Sequence, residues 1–183
     1  MTGTASAVHD LTASFEAVFD AYFGEIHRYV AQRLGPDDAE DVVAETFLAA
    51  YRRRDVYDPS RASVRTWLYG IATKLIGKHR RSEIRALKAL RVADGDLSGH
   101  FDEQAAARVS AQALRPDLAK AIAGLNRGDR DVLLLVALAG LSHEEIAVAL
   151  GIPYGTVGSR LSRARRKLRD ALGGVNPVED SRG

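Results

Sequence analysis

Residues 141–172 read LSHEEIAVALGIPYGTVGSRLSRARRKLRDAL. Ser142 followed three positions later by Glu145 is a capping box, in which each side chain satisfies an amide left orphaned at a helix start. Ile146, Ala147 and Leu150 make one apolar face, and Gly151 stands where a helix stops in a left-handed turn. The pattern restarts with Val157, Leu161, Ala164, Leu168 and Leu172, a helical spacing that buries one side. Between them lie Arg160, Arg163, Arg165, Arg166, Lys167 and Arg169. A basic helix set at an angle on a preceding helix is how a helix-turn-helix enters the DNA major groove. A plain solvated basic helix does not require Gly151, Pro153 and Gly155 before it.

The remainder of the chain supports a folded protein that meets a polyanion twice. Its 183 residues suffice for one ordinary domain or two small ones. Residues 1–60 hold 5 basic and 11 acidic groups, whereas 61–91 hold 9 basic and 1 acidic. Residues 92–131 are again slightly acidic, with 5 basic against 7 acidic, and 132–172 are basic, with 6 against 3. Two basic blocks divided by acidic ones suit two nucleic-acid contacts and an acidic face for a protein partner. There are no cysteines, which excludes disulfides and thiolate metal sites. The N-terminus lacks the charged start and apolar stretch of a signal peptide, and no apolar run is long enough to span a bilayer. The expected location is the cytoplasm.

Every periodic segment has helical spacing, so the expected fold is all-α. Phe15, Val18, Phe19, Tyr22, Phe23, Ile26, Tyr29, Val30 and Leu34 outline a first helix ending at Gly35-Pro36. A second runs from Asp37 or Asp38 to about Arg54, with Val42, Val43, Phe47, Leu48 and Tyr51 inward. Turn chemistry at Asp58-Pro59-Ser60 precedes a third, from about Ser63 to Arg85, carrying Val64, Trp67, Leu68, Ile71, Ala72, Leu75 and Ile76. Residues 88–113 lose their large apolar groups and read as a flexible linker, with a weakly helical piece at 102–113. Helices at 117–124 and about 128–139 then lead into the helix-turn-helix. Leu133, Leu134, Leu135, Val136 and Leu138 are contiguous enough to form the core of a small second domain. Residues 1–12 and 174–183 read as tails.

The stretch DAEDVVAETFLAAYRR (38–53) followed by RTWLYGIATKLIGKHRRSEIR (65–85) resembles region 2 of bacterial sigma factors. Residues 118–172, from LAKAIAGLNRGDRD through the helix-turn-helix, resemble region 4. Order, spacing and length together resemble the extracytoplasmic-function (ECF) branch, which retains little beyond these two regions. The resemblance implies a region 2 domain at 13–87, a linker at 88–113 and a region 4 domain at 114–173. It implies an alternative sigma factor: region 2 binds the clamp of core RNA polymerase and reads and melts the −10 promoter element. Region 4 grips the −35 element and touches the polymerase flap. An anti-sigma factor is the implied regulatory partner.

Carried over by position, the clamp contact falls on Asp41, Glu45, Phe47 and Leu48; acidic groups there suit a basic coiled coil. The −10 contact falls on Arg61, Arg65, Trp67, Tyr69, Lys74, Lys78, Arg80 and Arg81, where aromatics can stack on single-stranded bases beside a basic groove. Trp67 and Tyr69, two apart, cannot share a helix face; one packs inside. The −35 contact falls on Tyr154, Thr156, Ser159, Arg160 and Arg163, with Arg166 and Lys167 placed for phosphates. Four positions depart from the family pattern. Ala44 stands where glutamine is usual, Val64 where an aromatic is common, Lys74 where asparagine is common, and Gly158 where a lysine or arginine is common.

Other function classes fit less well. His143-Glu144-Glu145 begins like a zinc-protease motif, but position 147 is alanine, so no ligand pair forms. His9, His27, His79 and His100 are scattered in sequence, with no phosphate-binding loop or nucleophile elbow nearby. No catalytic residue, metal or cofactor is expected, nor a small-molecule substrate. A DNA-binding regulator that never joins polymerase is the competing reading, but it leaves the acidic second helix without a use.

Overall fold

The computed structural model describes residues 15–93 and 116–173. The expected tails, the weakly helical piece at 102–113 and most of the linker lie outside the described residues. Among the described residues, seven α-helices form two sequence-separated groups and no strand occurs. The first group holds α1 (Phe15–Leu34), α2 (Pro36–Arg52) and α3 (Val64–Ala93), with a short 3₁₀ turn at Arg54–Val56. The second holds α4 (Pro116–Ala123), α5 (Arg127–Ala139), α6 (His143–Leu150) and α7 (Tyr154–Ala171). Helix α3 runs to Ala93, eight residues beyond the end expected at Arg85; alanine, leucine, lysine and arginine at 86–91 are all good helix formers.

Local signals account for the breaks. Asn126 caps α5 by accepting from the Asp129 amide. The Ser142–Glu145 capping box is present in both directions, at 2.8 and 3.2 Å. Gly140 and Gly151 close α5 and α6 with φ of 62° and 66°, the left-handed conformation that only glycine adopts without steric cost. The turn between α6 and α7 follows, and α7 buries Val157, Leu161, Ala164 and Leu168, the expected stripe.

The two groups are not independent bodies. One core runs from Ile26, Tyr29, Val43, Phe47, Leu68 and Ile76 through Val132, Leu135, Ile146 and Val157 to Leu161. A smaller cluster of Ile122, Leu125, Leu134, Ala164 and Leu168 seats α4 and α7. Of the leucine-rich run in α5, Leu134 and Leu135 are buried, Leu133 and Val136 are half-buried, and Leu138 is exposed.

Candidate nucleic-acid interface

Three surfaces hold the residues singled out by sequence. On α2, Asp41 and Glu45 are exposed and Leu48 is 46% exposed, while Phe47 is buried beneath them. Leu48, Phe19, Phe23 and Tyr51, all expected to point inward, are exposed instead, and the three aromatics border this patch. Phe19 packs edge-on against Phe47 at 4.9 Å, and Phe15 against Tyr51 at 5.2 Å. The apolar stripe of α1 is wider than α2 and α3 can cover, which leaves an aromatic rim in water. That width was the available signal, and helical spacing alone did not distinguish core from rim.

Helix α3 carries the second surface, and three of its cations, Arg65, Lys78 and Arg80, are engaged by other helices. Arg65 donates through Nε to Glu25 Oε1 at 2.6 Å and through Nη2 to the Ala139 carbonyl at 2.6 Å. Tyr69 is buried and donates to the same Glu25 oxygen at 2.7 Å. Burial and the Glu25 carboxylate both push its phenol well above the usual value. Trp67 is half-buried, packed on Tyr57 with ring centres 4.9 Å apart. Of the two aromatics, therefore, tyrosine is the core residue. Lys78 is exposed and donates to Glu45 Oε1 at 2.8 Å. Arg80 donates to the Arg33 carbonyl; burial, with the nearby Arg33 and Arg130 cations, pushes its guanidinium down to about 10. Arg61, Lys74 and Arg81 face solvent, and Val64 is half-buried at the helix start. Trp67 and Lys74, with Arg53, Ile71, Val148 and Ala149, line a cavity of about 250 Å³.

His79 is not isolated in space. Its Nε2 lies 3.5 Å from Asp38 Oδ1 and 3.8 Å from Glu83 Oε2, a grouping the sequence reading missed because Asp38 is on another helix. The three bring the start of α2 beside α3.

The third surface is α7. Arg165, Arg166 and Lys167 are exposed, Ser159 is exposed, and Thr156 and Gly158 are partly covered. Tyr154, the first residue of α7, is 56% exposed. Among the described residues, nothing outside the backbone of its own helix lies within 4 Å of where a Gly158 side chain would begin. Arg163 does not project freely. Its guanidinium makes a bidentate pair with Asp129, Nε to Oδ2 at 2.9 Å and Nη2 to Oδ1 at 3.0 Å. Asp129 is fully buried. Burial alone would raise its carboxyl, but hydrogen bonds from Arg163 and Asn126 win and hold it below the usual carboxylate range. Arg160 lies against Gly128, so it too leans toward α5. No helix among the described residues is long and apolar enough to cross a membrane.

The family model for sigma-70 region 2 matches residues 18–86, and that for sigma-70 region 4 matches 115–168. The chain is 32% identical over 185 residues to the ECF RNA polymerase sigma factor SigC of Mycobacterium tuberculosis, covering 92% of this chain and 94% of the relative. It is 35% identical over 161 residues to SigL of the same species, covering 87% and 89%. The structure of CnrH in complex with the cytosolic domain of CnrY aligns at a TM-score of 0.63 with 27% identity, over 94% of this chain and 96% of that one. The sigma factor RpoE of Bartonella quintana, solved with the anti-sigma factor NepR, shares the fold at a TM-score of 0.65 and 22% identity, over 88% and 98%.

Proposed function

This chain belongs to the ECF sigma factors, alternative sigma factors that direct transcription initiation, and from that premise we propose how its three surfaces divide the work. The clamp of core polymerase docks on α2 at Asp41, Glu45 and Leu48, with Phe19, Phe23 and Tyr51 as an aromatic rim. The observation that carries this reading is an exposed apolar patch bordered by carboxylates on an otherwise well-packed three-helix unit. Large aromatics surrounded by polar groups are typical of a protein interface. Phe47 supports the patch from below rather than touching the partner.

Helix α3, with Arg61 in the turn before it, reads and melts the −10 element through Lys74, Arg81 and Trp67, with Arg65, Lys78 and Arg80 adding positive field. Helix α7 grips the −35 element, led by Tyr154, Thr156 and Ser159, because the first turn of a recognition helix meets base edges. Arg166 and Lys167 anchor phosphates, and the same domain touches the flap. The chain works in the cytoplasm, and phosphodiester synthesis belongs to the polymerase. An anti-sigma factor is the expected regulator, since the CnrH and RpoE structures are complexes with CnrY and NepR. Run-off transcription with purified core polymerase on a genomic library tests this. Discrete start sites dependent on the chain are expected; specific DNA binding without polymerase association would instead favour a free-standing regulator.

A further inference from the structure

Helix α3 carries a histidine that its surroundings leave unsatisfied. His79 Nε2 is buried and makes no hydrogen bond, although two carboxylates from different helices stand around it. Asp38 Oδ1, in the first turn of α2, is 3.5 Å away, and Glu83 Oε2, one turn further along α3, is 3.8 Å away. An imidazole nitrogen carries either a proton or a lone pair. A proton on Nε2 finds both acceptors beyond the roughly 3.2 Å limit of a good hydrogen bond. A lone pair there confronts two groups that can only accept. In both cases a buried polar atom lacks a partner, an exception in native proteins that a bound ion accounts for.

The three ligand atoms all lie within 4.8 Å of one another. Zinc held by imidazole and carboxylate at about 2.0–2.2 Å sets tetrahedral ligand atoms about 3.4 Å apart. The two separations from His79 are already close to that value, and each carboxylate turns on a flexible stem to close the rest. His79 and Glu83 are four positions apart and share one face of α3, which presents two ligands side by side from a rigid element. One neutral imidazole and two carboxylates carry two negative charges, which a divalent ion neutralises. The imidazole favours zinc over magnesium and calcium, which prefer oxygen ligands alone. The Asp38 and Glu83 side chains are 43% and 40% exposed, so the ion has a path from water and room for a water as fourth ligand.

The cations on either side of His79 are directed elsewhere. Lys78 donates to Glu45 Oε1, and Arg80, although it senses the Glu83 charge, donates to the Arg33 carbonyl of α1. Among the described residues, His79 is the ion-pair partner of both Asp38 and Glu83. We propose that Asp38, His79 and Glu83 form a zinc site that clips the start of α2 to α3. That end of α2 is in need of a fastening, because Gly35 at its N-cap supplies no side-chain cap. An ion that binds the folded chain alone stabilises it by mass action.

Zinc titration of the full chain, stripped beforehand with a chelator, tests the site. Calorimetry should show one tight equivalent, and zinc at about a hundredfold excess over its dissociation constant should raise Tm by about 5 °C. Magnesium at millimolar concentration should neither raise Tm nor displace zinc. Losing an outer partner of a metal ligand already costs about 10–100-fold in affinity. His79→Ala should therefore weaken zinc binding by at least about a hundredfold, and Asp38→Asn or Glu83→Gln, which keep the side-chain shape, by at least about tenfold. Without zinc, the two amide variants should melt within about 3 °C of the parent, since they remove only partly exposed charges; they decide the matter even if His79→Ala does not fold. A parent that binds no zinc would overturn the site. Variants that bind zinc as tightly as the parent would overturn it too, by putting the ion on other histidines.

Discussion

Helices α3 and α7 are both basic, yet the fold treats them oppositely. Helix α3 lies between α1, α2 and α6, and three of its cations, Arg65, Lys78 and Arg80, are tied to carboxylates or carbonyls of other helices. Helix α7 buries only a four-residue stripe, leaving Arg165, Arg166 and Lys167 in water. The contrast shows that positive charge on a helix does not by itself identify a nucleic-acid contact. A cation already satisfied within the protein contributes field and rigidity, whereas an exposed one can exchange water and counterions for phosphate. Arg163 is the intermediate case, on the helix proposed to grip DNA but pinned to a buried aspartate.

The largest effect expected concerns the surface flanking α3. Asp41→Lys with Glu45→Lys should reduce association with core polymerase by more than about a hundredfold, consistent with desolvated charge at an interface. The fold should survive, because the Glu45–Lys78 pair is exposed on both sides and such pairs contribute at most about 1 kcal/mol. A pull-down with unchanged affinity would mean that Glu45 merely serves α3.

Next is the buried ion pair of Arg33 on α1 and Asp131 on α5, whose side chains are 2% and 9% exposed. Arg33→Ala should destabilise the chain by about 3–5 kcal/mol, a fall in Tm on the order of 10 °C, because it strands Asp131 in the interior. Calorimetry showing a shift under about 2 °C would erase the distinction between the buried cations around α3 and the exposed ones of α7.

The finest distinction lies within α7. Arg163→Ala should weaken binding to a promoter uniformly, by about 1 kcal/mol, and should also lower Tm, since it removes the partner of buried Asp129. Tyr154→Ala should cost about 1–3 kcal/mol at one base position and relax preference there. Lys167→Ala should lower the salt slope by about one contact with no change in preference. Competition against single-base promoter substitutions separates the three. A base-specific loss for Arg163→Ala would show that the Asp129 pair opens on DNA and that the residue reads sequence after all.

The all-α class, the helix-turn-helix and the stops at Gly140 and Gly151 could all be read from the sequence alone. These features depend on residues three or four apart, so spacing carries them. The capping box and the buried stripe of α7 are local in the same sense, and the basic blocks need only composition. Tertiary structure decided what no spacing encodes. Arg33 meets Asp131 across 98 positions and Arg163 meets Asp129 across 34. Tyr69 rather than Trp67 enters the core, and Phe19 and Phe23 stay outside because no helix among the described residues covers them. Gly70 and Gly77 look like defects in a helix until α5 and α6 are placed against them. Whether a charge is free or paired, and whether an apolar face is core or interface, depends on which distant helix packs there, and that is set by the balance of burial over the whole fold.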